Sequence, residues 1–162
     1  MKYGFLICFL LATTAFAQAE EPSAIVEVGG AGEWGLKGGS AYGPDFSVET
    51  TPIEDVLEIE AGVTPLFSRG QTEWDGDFLF KKPWTLSDSV EFMAGIGPEW
   101  AHTVTRGNTS DTVSAELAGD FMFWPWAERH FGLYLEPSYD YGFGKTHEQS
   151  LGMSAGLLIP IP

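Results

Sequence analysis

The 162-residue sequence has a single cysteine, few basic residues and no long apolar segment beyond its first residues. The cysteine, Cys8, lies in an N-terminal segment that we predict is removed, so the mature chain has no disulfide bond and no thiol chemistry. Only 8 lysines and arginines accompany 23 aspartates and glutamates, and the formal net charge of −15 argues against nucleic acid as a partner. Because no later apolar run reaches about 18 residues, and none repeats at helical spacing, we expect neither a transmembrane helix nor a helical domain.

The first residues have the order of features found in an export signal. A basic start precedes an apolar run over residues 5–12, and small residues then offer a cleavage site at Ala17, with Ala19 as the alternative. The apolar run is too short to span a bilayer as a helix. We therefore predict a signal peptide over residues 1–17 and, because no linker or change of composition follows, a single domain over residues 18–162.

In the mature chain, carboxylates alternate with large apolar side chains. Glu58 and Glu60, for example, are separated by Ile59, and the same period of two recurs down the sequence. This period places the two classes of side chain on opposite faces of a β-strand. Runs of this kind, separated by Gly, Pro, Asp and Ser, predict eight strands, over residues 23–35, 42–51, 55–67, 72–81, 89–101, 112–124, 130–143 and 149–159.

The connections between the predicted strands are of two kinds, which alternate along the chain. Those after the second, fourth and sixth strands contain proline, in two cases with tryptophan, whereas the other four are polar and each contain a lysine or arginine. In an up-and-down barrel, alternate connections lie at opposite ends. We therefore expect Trp84, Trp124 and Trp126 to form an aromatic girdle at one rim, and the other rim to be polar.

Two-faced strands fit two kinds of barrel, and charge favours the soluble one. A lipocalin-like barrel turns its apolar face inward around a ligand, and Trp74, Phe92 and Leu117 would then line a cavity. A membrane barrel turns that face to lipid and must bury the carboxylates, which is costly with so few cations. The carboxylates on the polar face are Glu58, Glu60, Glu73, Asp75, Asp77, Glu91, Glu99, Glu116, Asp120, Glu136 and Asp140.

Side-chain size favours the membrane barrel. The acidic face also carries small residues, namely Gly62, Gly95, Gly97, Ala118, Gly132, Ser138, Gly142, Gly152, Ser154 and Gly156. Glycine on a water-facing strand lowers stability without a gain, whereas inside a narrow barrel it leaves room for larger polar side chains. The aromatic side chains of the other face would crowd a small interior but suit a lipid-facing wall. We therefore predict an all-β fold, an eight-stranded antiparallel up-and-down β-barrel of the membrane type.

With this pattern, the mature chain resembles the small eight-stranded outer-membrane β-barrel proteins of Gram-negative bacteria. Segments 64–70, 77–84 and 156–162 also look like exported bacterial proteins that carry no assigned activity. The resemblance implies a non-enzymatic protein of the cell outer membrane, either a structural or surface-exposed envelope component or a very narrow pore. It implies outer-membrane lipid and the barrel-assembly machinery as partners, although that family usually ends in an aromatic residue and this chain ends in Pro162. The alternatives are a soluble periplasmic barrel that binds an apolar ligand and, third, a lipid-modifying outer-membrane enzyme.

Two groups of residues in the sequence could carry chemistry. Glu73, Asp75 and Asp77 lie on one strand face about 7 Å apart, and hard cations bind such oxygens, but a hydrated polar face is the simpler interpretation. The placement of His147 and Ser150 near one rim resembles the general plan of the lipid A-modifying enzymes of the outer membrane. Catalysis would require the two side chains to converge. We assign no catalytic, cofactor-binding or metal-binding residue and no cofactor, and the sequence leaves the oligomeric state open.

Overall fold

Eight long strands make up most of the domain, which a computed structural model describes over residues 22–162. The predicted signal peptide at residues 1–17 and both candidate cleavage sites lie outside these residues. Within residues 22–162, no helix is long and apolar enough to cross a membrane. The strands are β1 (Ala24–Gly35), β2 (Ser40–Ile53), β3 (Leu57–Ser68), β4 (Gln71–Ser87), β5 (Val90–Thr105), β6 (Asn108–Phe123), β7 (Gly132–Gly142) and β8 (Gln149–Ile161).

The strands form one closed barrel in sequence order. Each pairs antiparallel with the next, and β1 also pairs with β8, from Ala24 opposite Ile161 to Gly35 opposite Ser150. Closure leaves none of these eight strands with a free edge, as a wall surrounded by lipid requires. The predicted fold class, an eight-stranded antiparallel up-and-down barrel, is confirmed.

The two ends of the barrel are distinct. The turns after β2, β4 and β6 share one end, here called the termini end, with Ser23, whose N–H donates to the carbonyl of Ile161 at 2.9 Å. The turns after β1, β3, β5 and β7 share the other, the far end. The turn between β5 and β6 has only two residues, because Gly107 takes a positive φ of 83° that closes a tight hairpin.

Prolines interrupt the pairing of strands at three places in the wall. Pro44 and Pro65 lie opposite each other in a gap between β2 and β3, Pro98 lies in a gap between β4 and β5, and Pro137 lies in a gap between β6 and β7. Proline has no N–H to donate to a neighbouring strand. All three gaps fall between strands that are joined at the termini end. Pairing is continuous in the other five pairs, which are β1 with β2, β3 with β4, β5 with β6, β7 with β8 and β1 with β8.

The apolar side chains face outward, as the membrane type of barrel requires. Trp74 and Leu117 are 48% and 55% exposed on the outer wall. Phe92 lies on the same wall between the rings of Trp84 and Phe121, with centroids 5.7 and 4.8 Å away. The alternative in which Trp74, Phe92 and Leu117 line an internal cavity is therefore wrong.

The predicted strand boundaries differ from the structure where the sequence suggested turns. Pro83 and Trp84 were expected in a turn but lie within β4, opposite Met93 and Phe92. Residues 108–110 were expected in a loop but begin β6, because the two-residue turn before them is sufficient. The wall is therefore taller than predicted between β4 and β6.

Trp124 does not belong to the aromatic girdle. Its side chain points inward, like that of Met122 two residues before it, and it is only 1% exposed. Its Nε1–H donates to Glu91 at 3.2 Å, and the guanidinium of Arg129 lies 5.3 Å from the ring centre. With Met93, Met122, Tyr134 and Leu158 it forms an apolar cluster inside the barrel near the termini end. Trp84 and Trp126, the other two predicted members, are exposed as expected.

Candidate functional site

The interior of the barrel is lined with carboxylates. They reach it because alternate residues of each strand point inward, and the acidic phase of the sequence is the inward one. All of the carboxylates that the sequence placed on the polar face are buried or half-buried there. The structure adds four from the first two strands, Glu27, Glu33, Asp45 and Glu49.

One buried base lies among these acids, and the sequence did not single it out. Lys81 is 1% exposed, and its ammonium donates hydrogen bonds to Glu60 and Glu136. The same nitrogen lies 3.7 Å from Asp120 Oδ2. Gly95 on the neighbouring strand leaves the space for this side chain, since a Cβ there would overlap Lys81. A signal was present, because Lys81 has the same inward phase as Asp75 and Asp77.

Four buried carboxylates meet beside Lys81. Glu27, Glu49, Glu60 and Asp120 come from β1, β2, β3 and β6, and one oxygen from each lies within 4.8 Å of the others. Glu27 Oε2 accepts a hydrogen bond from Ser47 at 3.0 Å. Glu27 Oε1, Glu49 Oε2 and both oxygens of Asp120 accept none from any described residue. This group therefore combines deep burial with unused acceptor oxygens.

A second acidic region opens toward the far end. A cavity of about 430 Å³, here called the vestibule, is lined by Glu33, Glu73, Glu99 and Asp140 together with hydroxyl-bearing residues. The hydroxyls bond to the acids: Thr103 donates to Glu73, Ser114 donates to Glu99 at 3.0 Å, and Ser150 donates to Asp140 at 3.3 Å. The vestibule is thus a polar chamber with acidic walls.

The predicted set of Glu73, Asp75 and Asp77 is only partly brought together. Glu73 and Asp75 group with Glu33 of β1, with oxygens within 4.8 Å of one another. Asp77 is not part of that group, and its carboxylate lies over Gly62 instead. Glu33 belongs to β1, which does not pair with β4, so this group forms across the interior of the barrel.

Small residues of the interior make room for polar side chains, as the size argument predicted. The hydroxyl of Tyr134 donates to Asp45, whose other oxygen accepts a hydrogen bond from Thr64 at 2.7 Å. Gly29 and Gly156 lie beside this tyrosine, and a Cβ on either would overlap its ring or hydroxyl. Glycine is thus required on the inner face, where backbone and tyrosine approach closely.

His147 and Ser150 do not converge. His147 lies in the β7–β8 connection with a positive φ of 44°, and its ring stacks on Tyr141 with centroids 5.7 Å apart. Ser150 is buried and bonds to Asp140 inside the barrel. His102, in β5, lies 2.8 Å from Asp111 on the outer face. None of these contacts forms a nucleophile–base pair.

Comparison with solved structures identifies the barrel type. Neisserial surface protein A, NspA, is 14% identical, with a TM-score of 0.61 over 85% of this chain and 96% of that chain. The N-terminal β-barrel domain of Pseudomonas aeruginosa OprF is 13% identical, with a TM-score of 0.60 over 83% of this chain and 97% of that chain. The attachment invasion locus protein Ail of Yersinia pestis is 12% identical, with a TM-score of 0.56 over 85% of this chain and 97% of that chain. These neighbours are small outer-membrane β-barrels.

No protein-family model and no curated protein matches the sequence. The structural likeness, at such low identities, concerns the fold alone. The predicted resemblance to small eight-stranded outer-membrane barrels is confirmed at that level, and the predicted location in the outer membrane agrees with it.

Proposed function

We propose that the protein resides in the outer membrane as a non-enzymatic envelope component, structural or surface-exposed, and that its barrel does not conduct. The observation that carries the proposal is a closed wall with an apolar outer face, crossed inside by two layers of buried side chains. Outer-membrane lipid and the barrel-assembly machinery are its proposed partners. The divergence of His147 and Ser150 supports a role without catalysis.

The outer face supports residence in lipid. Every strand exposes large apolar side chains on it, for example Val28, Phe46, Val63, Phe78, Ile96, Leu117, Leu135 and Leu157. Soluble monomers rarely expose a continuous apolar surface of this extent, whereas hydrocarbon accepts it without cost. A periplasmic barrel would also leave this surface in water.

The interior supports the absence of conduction. Lys81 and its acids fill one level of the barrel, and the cluster that contains Met122, Trp124 and Leu158 fills another. Four side chains of these two layers are at most 1% exposed, namely Lys81, Met122, Trp124 and Leu158. Eight strands enclose only enough space for side chains, so we infer that these two layers block a continuous water path.

A fractionation experiment tests the location. The protein is expressed with its own N-terminus, and inner and outer membranes are separated. The outer-membrane fraction is then run on a denaturing gel with and without boiling. We expect the protein in that fraction, with an unboiled form that migrates faster than the boiled one. Recovery in the soluble periplasm would refute the proposal.

A second candidate, a very narrow cation pore, is favoured by the acidic vestibule alone. Planar-bilayer recordings of the refolded protein distinguish the two functions. We expect no discrete conductance steps in potassium chloride, with a porin of known conductance as the positive control. Reproducible cation-selective steps would favour the pore and refute the non-conducting barrel.

A further inference from the structure

We propose that the barrel interior contains a binding site for one hard divalent cation, with calcium as the preferred ion, formed by Glu27, Glu49, Glu60 and Asp120. This site goes beyond an envelope role and does not depend on whether the protein conducts. The argument rests on the spacing of the oxygens, on acceptors without partners and on the limited capacity of the one nearby base.

The spacing of the four oxygens fits calcium. Calcium lies about 2.3–2.6 Å from its oxygen ligands, so two ligands on opposite sides of the ion are about 4.6–5.2 Å apart. The four carboxylates each offer an oxygen within 4.8 Å of the others, so one calcium ion could touch all four. Magnesium demands near-octahedral geometry at about 2.0–2.1 Å and gives up its waters reluctantly, so a buried group of carboxylates suits it less well.

The burial of these acids is the second, independent observation. Glu27, Glu49 and Asp120 are 1%, 2% and 0% exposed, so water does not reach them freely. Each nevertheless presents at least one oxygen that accepts no hydrogen bond from a described residue, and Asp120 presents two. An unpaired carboxylate in such surroundings is strongly destabilising, and a metal ion is one of the few partners that can satisfy several at once.

Lys81 cannot satisfy the whole group. Its ammonium already donates to Glu60 and Glu136, and Asp120 is too distant at 3.7 Å for a hydrogen bond. Arg129, a half-buried cation near the termini end, bonds to Glu91 instead. A divalent ion would therefore supply charge that Lys81 and Arg129 do not.

One carboxylate of the site adjoins a cavity. An inner cavity of about 70 Å³ is lined by Ser47 and Glu60 and shares Glu33, Glu99 and Asp140 with the vestibule. We infer that an ion would enter from the far end along these acidic walls. The acids of the vestibule are only half-buried, and three of them accept hydrogen bonds from hydroxyls, so the site is placed at the four buried carboxylates.

Isothermal titration calorimetry tests the proposal. The protein is refolded from denaturant into a zwitterionic detergent, because lipopolysaccharide and anionic detergents bind divalent cations themselves. After treatment with EDTA, it is titrated with calcium chloride or magnesium chloride in excess potassium chloride. We expect saturable binding of about one calcium per chain and weaker binding of magnesium. The temperature at which the folded form on the gel converts to the unfolded form should be higher in calcium than in EDTA.

Variants locate the site. Glu49→Gln and Asp120→Asn each remove one charge and one ligand and should weaken calcium binding by about 10-fold to 100-fold or more. Glu99→Gln removes the same charge from the vestibule and should bind calcium nearly as wild type. The gel shift of the unboiled protein confirms that each variant is folded.

Three results would overturn the site. The first is the absence of saturable calcium binding by the folded wild-type protein, which requires no variant. The second is an equal loss of affinity in Glu99→Gln, Glu49→Gln and Asp120→Asn, which would assign the binding to the general charge of the interior. A gain of stability in Asp120→Asn without any effect of calcium would also contradict the proposal, because it would indicate simple repulsion among the acids.

Discussion

Lys81 is a single residue whose charge offsets the repulsion among buried carboxylates in the interior of this barrel. It supplies a fully buried positive charge to Glu60, Glu136 and Asp120. The next residue, Lys82, points outward and instead bonds to the carbonyl of Asp55 at 2.7 Å. Two adjacent lysines of the same strand therefore have opposite environments, which makes them a matched pair for experiment.

Replacement of Lys81 by methionine should destabilise the protein by about 3–5 kcal/mol, because it leaves buried carboxylates without their base. Lys82→Met should have little effect, since its ammonium is exposed. Urea unfolding of the refolded protein in calcium-free detergent measures both. Adding Glu60→Gln and Glu136→Gln to Lys81→Met should recover part of the loss. Equal stabilities for the two lysine variants would mean that the interior is well hydrated.

Gly29 and Gly30 provide a similar comparison for backbone packing. A Cβ on the inward Gly29 would overlap the carbonyl of Ala155 and the hydroxyl of Tyr134, whereas one on the outward Gly30 would find its nearest neighbour at 3.7 Å. Gly29→Ala should therefore cost about 1–3 kcal/mol. Gly30→Ala should be neutral or stabilising by up to about 1 kcal/mol, because it restricts the unfolded chain. Urea unfolding again decides, and a neutral Gly29→Ala would show that the interior can expand.

At the scale of the strand, the alternation of side chains determines which face meets lipid. In β6 the outward Val113, Leu117 and Phe121 are exposed, whereas the inward Ser114, Ala118 and Met122 are buried. The loss of stability caused by a charged substitution on the outer wall should therefore depend on its depth in the membrane. The loss is largest at the middle of the hydrocarbon layer and smallest near its edges.

Leu117→Arg, near the middle of β6, should destabilise the barrel in a lipid bilayer by about 2–4 kcal/mol, whereas Val104→Arg, next to the end of β5, should cost about 0–1 kcal/mol. Reversible urea unfolding in phosphatidylcholine vesicles gives both values. If Leu117→Arg were as stable as wild type, this wall would not face hydrocarbon, and the membrane orientation would be wrong.

Much of this level could be predicted from the sequence, because the period of two is a property of each strand alone. It gave the number of strands and the inward phase of the carboxylates. The ends of the strands are harder to predict from the sequence. Pro83 and Trp84 have the composition of a turn, yet pairing with β5 keeps them in β4. Trp124 was assigned to the girdle from its residue type, although its phase, shared with Met122, indicated the interior.

At the scale of the whole molecule, the candidate cation site depends on the closure of the barrel. Glu27 and Asp120 belong to strands that are far apart in sequence and are not paired with each other. Their meeting depends on the relative shift of all eight strands and on the inward length of each side chain. No local pattern contains that information, so the sequence could identify the acidic face but not which acids meet.

Closure also predicts how the chain can be cut. The two ends of the described residues lie together, because Ser23 bonds to Ile161 and Pro162, and the connection at residues 143–148 is exposed. A permutant that starts at Lys145, runs through β8, joins residue 162 to residue 22 by a short Gly/Ser linker and ends at Gly144 retains every strand pairing. It should refold in detergent and show the gel shift of the unboiled protein.

A chain of residues 22–144 has the same C-terminal break but lacks β8, so β1 and β7 each keep an unpaired edge that neither lipid nor detergent can satisfy. It should give no shifted form and should be digested by protease under conditions that leave the permutant intact. The two chains end at the same residue, so a difference between them reports the loss of β8 and of the closure that it provides. A truncated chain that folded as well as the permutant would show that seven strands suffice, and closure through β1 and β8 would not be what stabilises this barrel.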